Sequence, residues 1–224
     1  MVLGDSMVRR VSARKVQLAG GGHTVYFGKG GARIGQLREM TLKHLSRRRN
    51  PTTLIIHLGT NDIFVNSLSA IRYRIEENIR CVRKLLPQTR LIWSDILPRP
   101  FYIRESPQSK GAGKRCTINL NEYAHKLCTK IPNMRYITHR NFSYSDHTLF
   151  YWDSVHLSNK GHERLLDNWS KGLVFLNSNP NVLGYCPVCP WVQKFKKGSF
   201  ILAASLFPDN GKTLVWRCVC QNFM

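Results

Sequence analysis

The sequence predicts an α/β fold in which a mainly parallel sheet is covered by helices on both faces. Short runs rich in β-branched residues alternate with longer segments of helical periodicity, a pattern typical of strands joined by crossover helices. The clearest run, TTLIIHL at residues 52–58, is apolar at almost every position, as in a strand with both faces buried. With 224 residues, 42% of them hydrophobic, the chain can bury the core of one domain of ordinary size.

Each predicted strand is a short apolar run that ends near glycine, proline or a polar turn residue. The predicted strands are residues 1–3, 23–27, 52–58, 91–97 and 135–138. The first strand of a doubly wound sheet normally lies in its interior. We therefore expect a strand of only three residues to weaken the sheet and to loosen the turn that follows it.

Each predicted helix carries apolar residues three or four positions apart. In the second helix, one such stripe continues up to Pro87, and Ser67 is the predicted N-cap. The stripe consists of Ile71, Ile75, Ile79, Val82 and Leu86. The predicted helices are residues 33–45, 68–86, 120–131 and 159–176, and residues 98–115 are predicted to form a polar loop.

The composition changes near residue 179, which predicts a domain over residues 1–179 followed by a basic tail over residues 180–224. The tail contains four cysteines that could supply thiolates to zinc, although the second pair is more closely spaced than usual. These are Cys186, Cys189, Cys218 and Cys220. The alternative is a tail without metal. The remaining cysteines are predicted to be small core residues, namely Cys81, Cys116 and Cys128.

The net charge of +21 favours polyanionic partners, and nucleic acid is one expected partner. No apolar run approaches the roughly 20 residues that a membrane-spanning helix needs. The first residues, MVLGDSMVRR, show no secretory leader pattern, so the expected location is the cytosol or the nucleus. In that setting the seven cysteines are read as reduced thiols or metal ligands.

Ser6 follows the first predicted strand and precedes a helical pattern. A serine at such a turn presents its hydroxyl above the sheet edge, close to a helix N-terminus whose N–H groups can hold an anion. Taken alone, this position also suits a helix cap, and on local sequence the cap is the more common interpretation.

Asn61 lies just beyond the end of the clearest strand, after Gly59. An amide donor at this edge of a sheet can stabilise an oxyanion. The alternative interpretation is an ordinary turn formed by Asn61 and Asp62.

Asp153 and His156 precede the last predicted helix. A carboxylate three residues before a histidine can reach one imidazole nitrogen and fix the tautomer. His162 is the competing histidine, but no carboxylate stands at the same offset before it.

These three motifs and the glycine-rich stretch around residue 30 occur in the order of the four blocks of the SGNH/GDSL hydrolases. The chain resembles that family over roughly residues 1–176. The resemblance implies a flavodoxin-like three-layer α/β/α fold. It also implies an oxyanion hole formed by the backbone N–H of Ser6, a glycine N–H and the side chain of Asn61. We assign the glycine as Gly31, with Gly30 as the alternative.

The resemblance further implies a serine ester hydrolase that works through an acyl-enzyme, with Ser6 as nucleophile, His156 as base and Asp153 orienting the base. Short acyl esters are the expected substrates, and no metal or cofactor is required. The alternative is a basic nucleic-acid-binding module with a vestigial hydrolase site, because the basicity looks like that of SGNH modules in proteins of transposable elements. Two other kinds of site do not fit the sequence. The Gly-x-Ser-x-Gly motif of ordinary α/β hydrolases is absent. Gly30 and Gly35 have the spacing of a phosphate-binding loop, but Gln36 stands where that loop needs lysine.

Overall fold

The structure is a computed structural model that describes residues 1–20, 22–46, 49–100 and 111–188. The described strands form one sheet in which every pair of neighbours runs parallel. The strands are β1 (Val2–Gly4), β2 (Tyr26–Gly28), β3 (Thr53–His57), β4 (Arg90–Ser94), β5 (Met134–Ile137) and β6 (Gly184–Tyr185). Their order across the sheet is β2-β1-β3-β4-β5-β6.

Helices cover both faces of this sheet. They are α1 (Ser6–Ser12), α2 (Leu37–Leu45), α3 (Leu68–Leu85), α4 (Ala112–Cys128) and α5 (Asn159–Ser178). Alternate residues of the central strand point to opposite faces, because Leu54 and Ile56 pack with α2, α3 and α4 while Ile55 packs with α1 and α5. The predicted α/β fold with two covered faces is confirmed.

The first strand lies in the interior of the sheet, as the sequence predicts. Val2 pairs with Tyr26 on one side and with Ile55 on the other. All three residues of β1 are buried, and Leu3 is 0% exposed. The strand is short, but both of its neighbours and both helical layers hold it in place.

Two helix starts differ from the sequence prediction. The predicted helix at residues 33–45 begins as a 3-10 turn, Ile34–Gln36, and becomes α-helical only at Leu37. The predicted helix at residues 120–131 was wrong at its N-terminus, because α4 begins at Ala112. Its buried positions there are occupied by Gly113 and Thr117, which do not extend an apolar pattern.

The stretch beyond the predicted boundary at residue 179 contributes β6, which pairs with β5. Tyr185 is 3% exposed and its ring lies 5.6 Å from that of Phe175 in α5. Residues 184 and 185 therefore continue the sheet of the main domain. No helix in the described part of the chain is long and apolar enough to cross a membrane.

The cysteines lie in different settings. Of the four zinc candidates, Cys186 is a buried free thiol, whereas Cys189, Cys218 and Cys220 lie outside the described residues. Cys128 is a core residue as predicted. Cys116 is partly buried and packs against the core, whereas Cys81 is partly buried outside the core clusters, which corrects its prediction as a core residue.

Candidate active site

The candidate residues gather at one edge of the sheet. Ser6 follows β1, the glycine loop follows β2 and Asn61 follows β3. Because parallel strands end at the same edge, these segments meet there. The segment with Asp153 and His156 reaches this edge too, since it lies between the end of β5 and the N-terminus of α5.

The turn at Ser6 depends on a close approach of three segments. A Cβ atom at Gly4 would lie 2.4 Å from the side chain of Val8 and 2.5 Å from the carbonyl oxygen of His57. Asp5 is the N-cap of α1, and its carboxylate accepts a hydrogen bond of 2.9 Å from the N–H of Met7. The interpretation of Ser6 as the cap is therefore wrong, because Asp5 takes that role and Ser6 is the first helical residue, 9% exposed.

Asp153 holds the imidazole of His156 as the sequence predicts. The Nδ1 atom of His156 lies 2.6 Å from Oδ2 of Asp153, while Oδ1 accepts from the N–H groups of Val155 and His156 at 2.9 Å each. Burial raises the pKa of Asp153, but these hydrogen bonds outweigh burial and lower the pKa to about 2. The ionised carboxylate favours a proton on Nδ1, which leaves Nε2 as the free base.

The loop that carries this pair is attached to the helix that starts at Ser6. The guanidinium of Arg10 lies 5.7 Å from the centre of the Tyr151 ring. Arg14 donates to Oδ1 of Asn159 at 2.6 Å. The described hydrogen bonds include none between Oγ of Ser6 and Nε2 of His156; in serine hydrolases this bond often tightens only when substrate binds.

His162 does not compete for the role of base. It is 2% exposed, its Nδ1 lies 2.9 Å from the carbonyl oxygen of Ser158, and its Nε2 has no hydrogen-bond partner. Burial lowers its pKa to about 4, and the charges of Arg14 and Arg10 act in the same direction. His162 is therefore a neutral buried residue near neutral pH.

Asn61 connects the predicted parts of the oxyanion hole. Its amide nitrogen donates to the carbonyl oxygen of Ala32 at 3.0 Å and approaches Oδ2 of Asp5 at 3.4 Å. Asp5 precedes Ser6, and Ala32 follows Gly31. Gly31 has a φ of +68°, and a Cβ atom there would meet nothing within 4 Å. The structure thus brings Asn61, the Ser6 turn and the glycine loop together.

Two neighbours of Asn61 fix its position; the sequence indicates a turn at these residues but not the contacts that they make. Gly59 has a φ of +117°, and a Cβ atom there would lie 2.7 Å from Cδ1 of Ile96. Asp62 accepts a hydrogen bond of 2.9 Å from the N–H of Ile34, and burial raises its pKa. Asp62 is 0% exposed, so the bond by which it holds the end of the glycine loop is buried. An acid in the turn that follows a buried strand could have indicated this role.

A buried polar network under the site was also missed. Oγ of Ser94 lies 2.9 Å from Nδ1 of His57 and 2.8 Å from Nε2 of His139, and it accepts from Nε1 of Trp169 at 2.8 Å. Burial lowers the pKa of both histidines. The network joins the ends of β3 and β4 to α5, and its signal was a polar residue ending each apolar strand. Within the described ranges, no group of three or more His, Cys, Asp or Glu residues could hold a metal ion.

A strand-to-helix serine, an Asp–His pair and an amide donor at the carboxyl edge of a parallel sheet are the parts of a serine-hydrolase site. The chain belongs to the GDSL-like lipase/acylhydrolase family, whose model matches residues 2–164. Membership supports ester hydrolysis in general. It also confirms the resemblance that the sequence motifs indicate. No curated protein matches the chain.

Several solved structures resemble this chain. A family 3 carbohydrate esterase from Clostridium thermocellum has 18% identity and a TM-score of 0.54, over 76% of this chain and 92% of that one. A GDSL-like lipase from Bacteroides thetaiotaomicron has 16% identity and a TM-score of 0.56, over 77% and 86% of the two chains. Both support the three-layer fold. The esterase domain of the zebrafish ZfL2-1 ORF1 protein has 27% identity and a TM-score of 0.39, over 76% and 95% of the two chains.

Proposed function

We propose that the protein is a serine hydrolase that cleaves short acyl esters through an acyl-enzyme on Ser6. The observation that carries this proposal is the Asp153–His156 pair, joined at 2.6 Å and lying on a loop that contacts the helix beginning at Ser6. Family membership supports the same class of reaction.

In the proposed reaction, Oγ of Ser6 attacks the ester carbonyl carbon while Nε2 of His156 accepts its proton. The carbonyl oxygen becomes negative and accepts hydrogen bonds from the N–H groups of Ser6 and Gly31 and from the amide of Asn61. The 3.4 Å approach of this amide to Asp5 is long, so an oxyanion can replace it at little cost.

Collapse of the intermediate breaks the bond to the alcohol, which leaves with the proton from His156. Water then attacks the acyl group on Ser6, and His156 accepts a proton from that water. The second collapse releases the acid and returns the proton to Ser6. Asp153 remains ionised throughout and stabilises the imidazolium in each half of the reaction.

The substitution Ser6→Ala tests this proposal with p-nitrophenyl acetate as the substrate. We expect kcat/KM to fall by about 10⁴-fold or more, because the substitution removes the hydroxyl on which the acyl-enzyme is proposed to form. Ser12→Ala is the matched control, since Ser12 ends the same helix and its hydroxyl donates to the carbonyl oxygen of Arg9 on the exposed side of the helix. Hydrolysis by Ser6→Ala at the rate of the parent protein would contradict the proposal.

We propose nucleic-acid binding as a second function, which the net charge of +21 favours. It is compatible with either an active or a vestigial hydrolase site. The full chain should bind labelled single-stranded or duplex nucleic acid in fluorescence anisotropy, with an affinity that falls steeply between about 0.05 and 0.2 M salt. Ser6→Ala should bind like the parent. Undetectable binding at about 0.15 M salt would exclude this function.

A further inference from the structure

Two arginines lie on either side of the nucleophile. Arg9 and Arg10 follow Ser6 by three and four residues in α1, so all three side chains share one face of the helix. Side chains of a helix also lean towards its N-terminus, which here is the end that carries Ser6. The helix geometry therefore directs both guanidinium groups towards the opening of the site, which is the surface beside Ser6 at the N-terminus of α1.

The two guanidinium groups contact different loops at this opening. Nη1 and Cζ of Arg9 lie 3.4 and 3.5 Å from the position that a Cβ atom would occupy at Gly30, which places this guanidinium against the glycine loop. The guanidinium of Arg10 lies over Tyr151, two residues before Asp153. The two guanidinium groups thus contact the glycine loop and the loop that carries Asp153, which are the two loops beside Ser6.

The charge of this pair is not neutralised locally. The ion pairs of the described residues involve neither arginine. The nearby acids Asp5, Asp62 and Asp153 already accept hydrogen bonds from Met7, Ile34 and His156 within the site. Two further cations, Lys29 and Arg33, are exposed on the glycine loop. With Arg9 and Arg10 these make four cations against the three acids, so the net charge around the site is positive.

We propose that the site selects acyl esters whose alcohol portion carries a carboxylate or phosphate, with Arg9 and Arg10 as the residues that determine this specificity. The inference rests on the proposed esterase function. The expected acyl group is short, so the anion belongs to the alcohol portion. A planar guanidinium matches the geometry of both anions and holds them more strongly than it holds a neutral group.

Two acetate esters of matched shape test the inference, namely 4-acetoxybenzoate and its neutral methyl ester. Each kcat/KM is divided by the rate constant for alkaline hydrolysis of the same ester. The normalised value for the anionic ester is then divided by that for the neutral ester. We expect a ratio of about ten at low salt, falling as added salt screens the charges. Because the two esters are compared as a ratio, a substitution that lowers activity equally towards both leaves the ratio unchanged.

The double substitution Arg9→Gln with Arg10→Gln should bring the ratio to within about twofold of one, while Arg9→Lys with Arg10→Lys should retain part of the preference. Lys84→Gln is the control, because Lys84 is exposed on the last turn of α3, at the opposite edge of the sheet. It should leave the ratio unchanged.

Three results would overturn the inference. They are equal normalised rates for the two esters in the parent protein, a preference that survives the double Gln substitution, and a loss of preference in Lys84→Gln. If Ser6-dependent turnover of the neutral ester persists in any of these cases, the esterase function stands and only the specificity fails. If neither ester shows Ser6-dependent turnover, both proposals fail.

Discussion

Hydrogen bonds at single residues decide which histidine can act as a base. His156 and His162 are six residues apart, yet only His156 bonds a carboxylate and leaves Nε2 free. His162 instead contacts a backbone carbonyl and places its Nε2 in a buried environment without a partner. The imidazole of His156 is thus placed to act as the proposed base, whereas that of His162 is structural.

The buried His162 makes folding stability depend on pH. An unfolded histidine has a pKa near 6.5, whereas that of folded His162 is about 4. Between these pH values His162 binds more protons in the unfolded chain than in the folded one. Its contribution to the free energy of unfolding is therefore complete above about pH 6.5 and is lost as the pH falls towards 4. We expect the parent protein to lose about 2 kcal/mol of unfolding free energy through this residue between pH 7 and pH 5.

Urea unfolding of the parent and of His162→Gln at both pH values measures that loss. The glutamine variant should lose about 2 kcal/mol less than the parent. His23→Gln serves as the control because His23 is exposed, and it should lose as much as the parent. Equal losses in His162→Gln and the parent protein would show that His162 is not the source.

At the scale of elements, the position of Ser6, the proposed nucleophile, depends on the contact between α1 and β2. Helix α1 has seven residues, which is too short to be stable alone. It is held by the Asp5 cap and by burial of Met7, Val8 and Val11. Gly28, the last residue of β2, permits this contact, since a Cβ atom there would lie 2.1 Å from the backbone nitrogen of Arg9.

Gly28→Ala should therefore push α1 away from the sheet. We expect a loss of about 1–3 kcal/mol in the free energy of urea unfolding, because the clash is with backbone that cannot rotate away. Ester turnover should fall as well, since α1 begins at Ser6. Gly35→Ala is the matched control, as its Cβ would meet nothing within 4 Å, and it should change stability by less than about 0.5 kcal/mol. An unchanged unfolding midpoint in Gly28→Ala would refute this role for the contact.

At the scale of the whole molecule, the parallel sheet brings distant parts of the chain to one edge. Ser6 and His156 are 150 positions apart in the sequence, yet α1 and the loop before α5 contact each other through Arg10 and Tyr151. The buried network around Ser94 ties β3 and β4 to α5 beneath that edge.

The sequence by itself determined the layered α/β class, the strand and helix periodicities, and the residues Ser6, Asn61, Asp153 and His156, because local patterns and short spacings carry that information. The Asp153–His156 bond was predictable since it spans only three residues. Element ends such as the start of α4 were not, because glycine and threonine occupy its buried positions. Only the tertiary structure decided that Asp5 caps α1, that Asp62 holds the glycine loop and that Arg9 and Arg10 flank the nucleophile. The Asp5 cap is a local bond to Met7, but the bond between Asp62 and Ile34 and the contacts of Arg9 with Gly30 and of Arg10 with Tyr151 join residues far apart in sequence. The geometry of these long-range contacts exists only after the sheet has assembled.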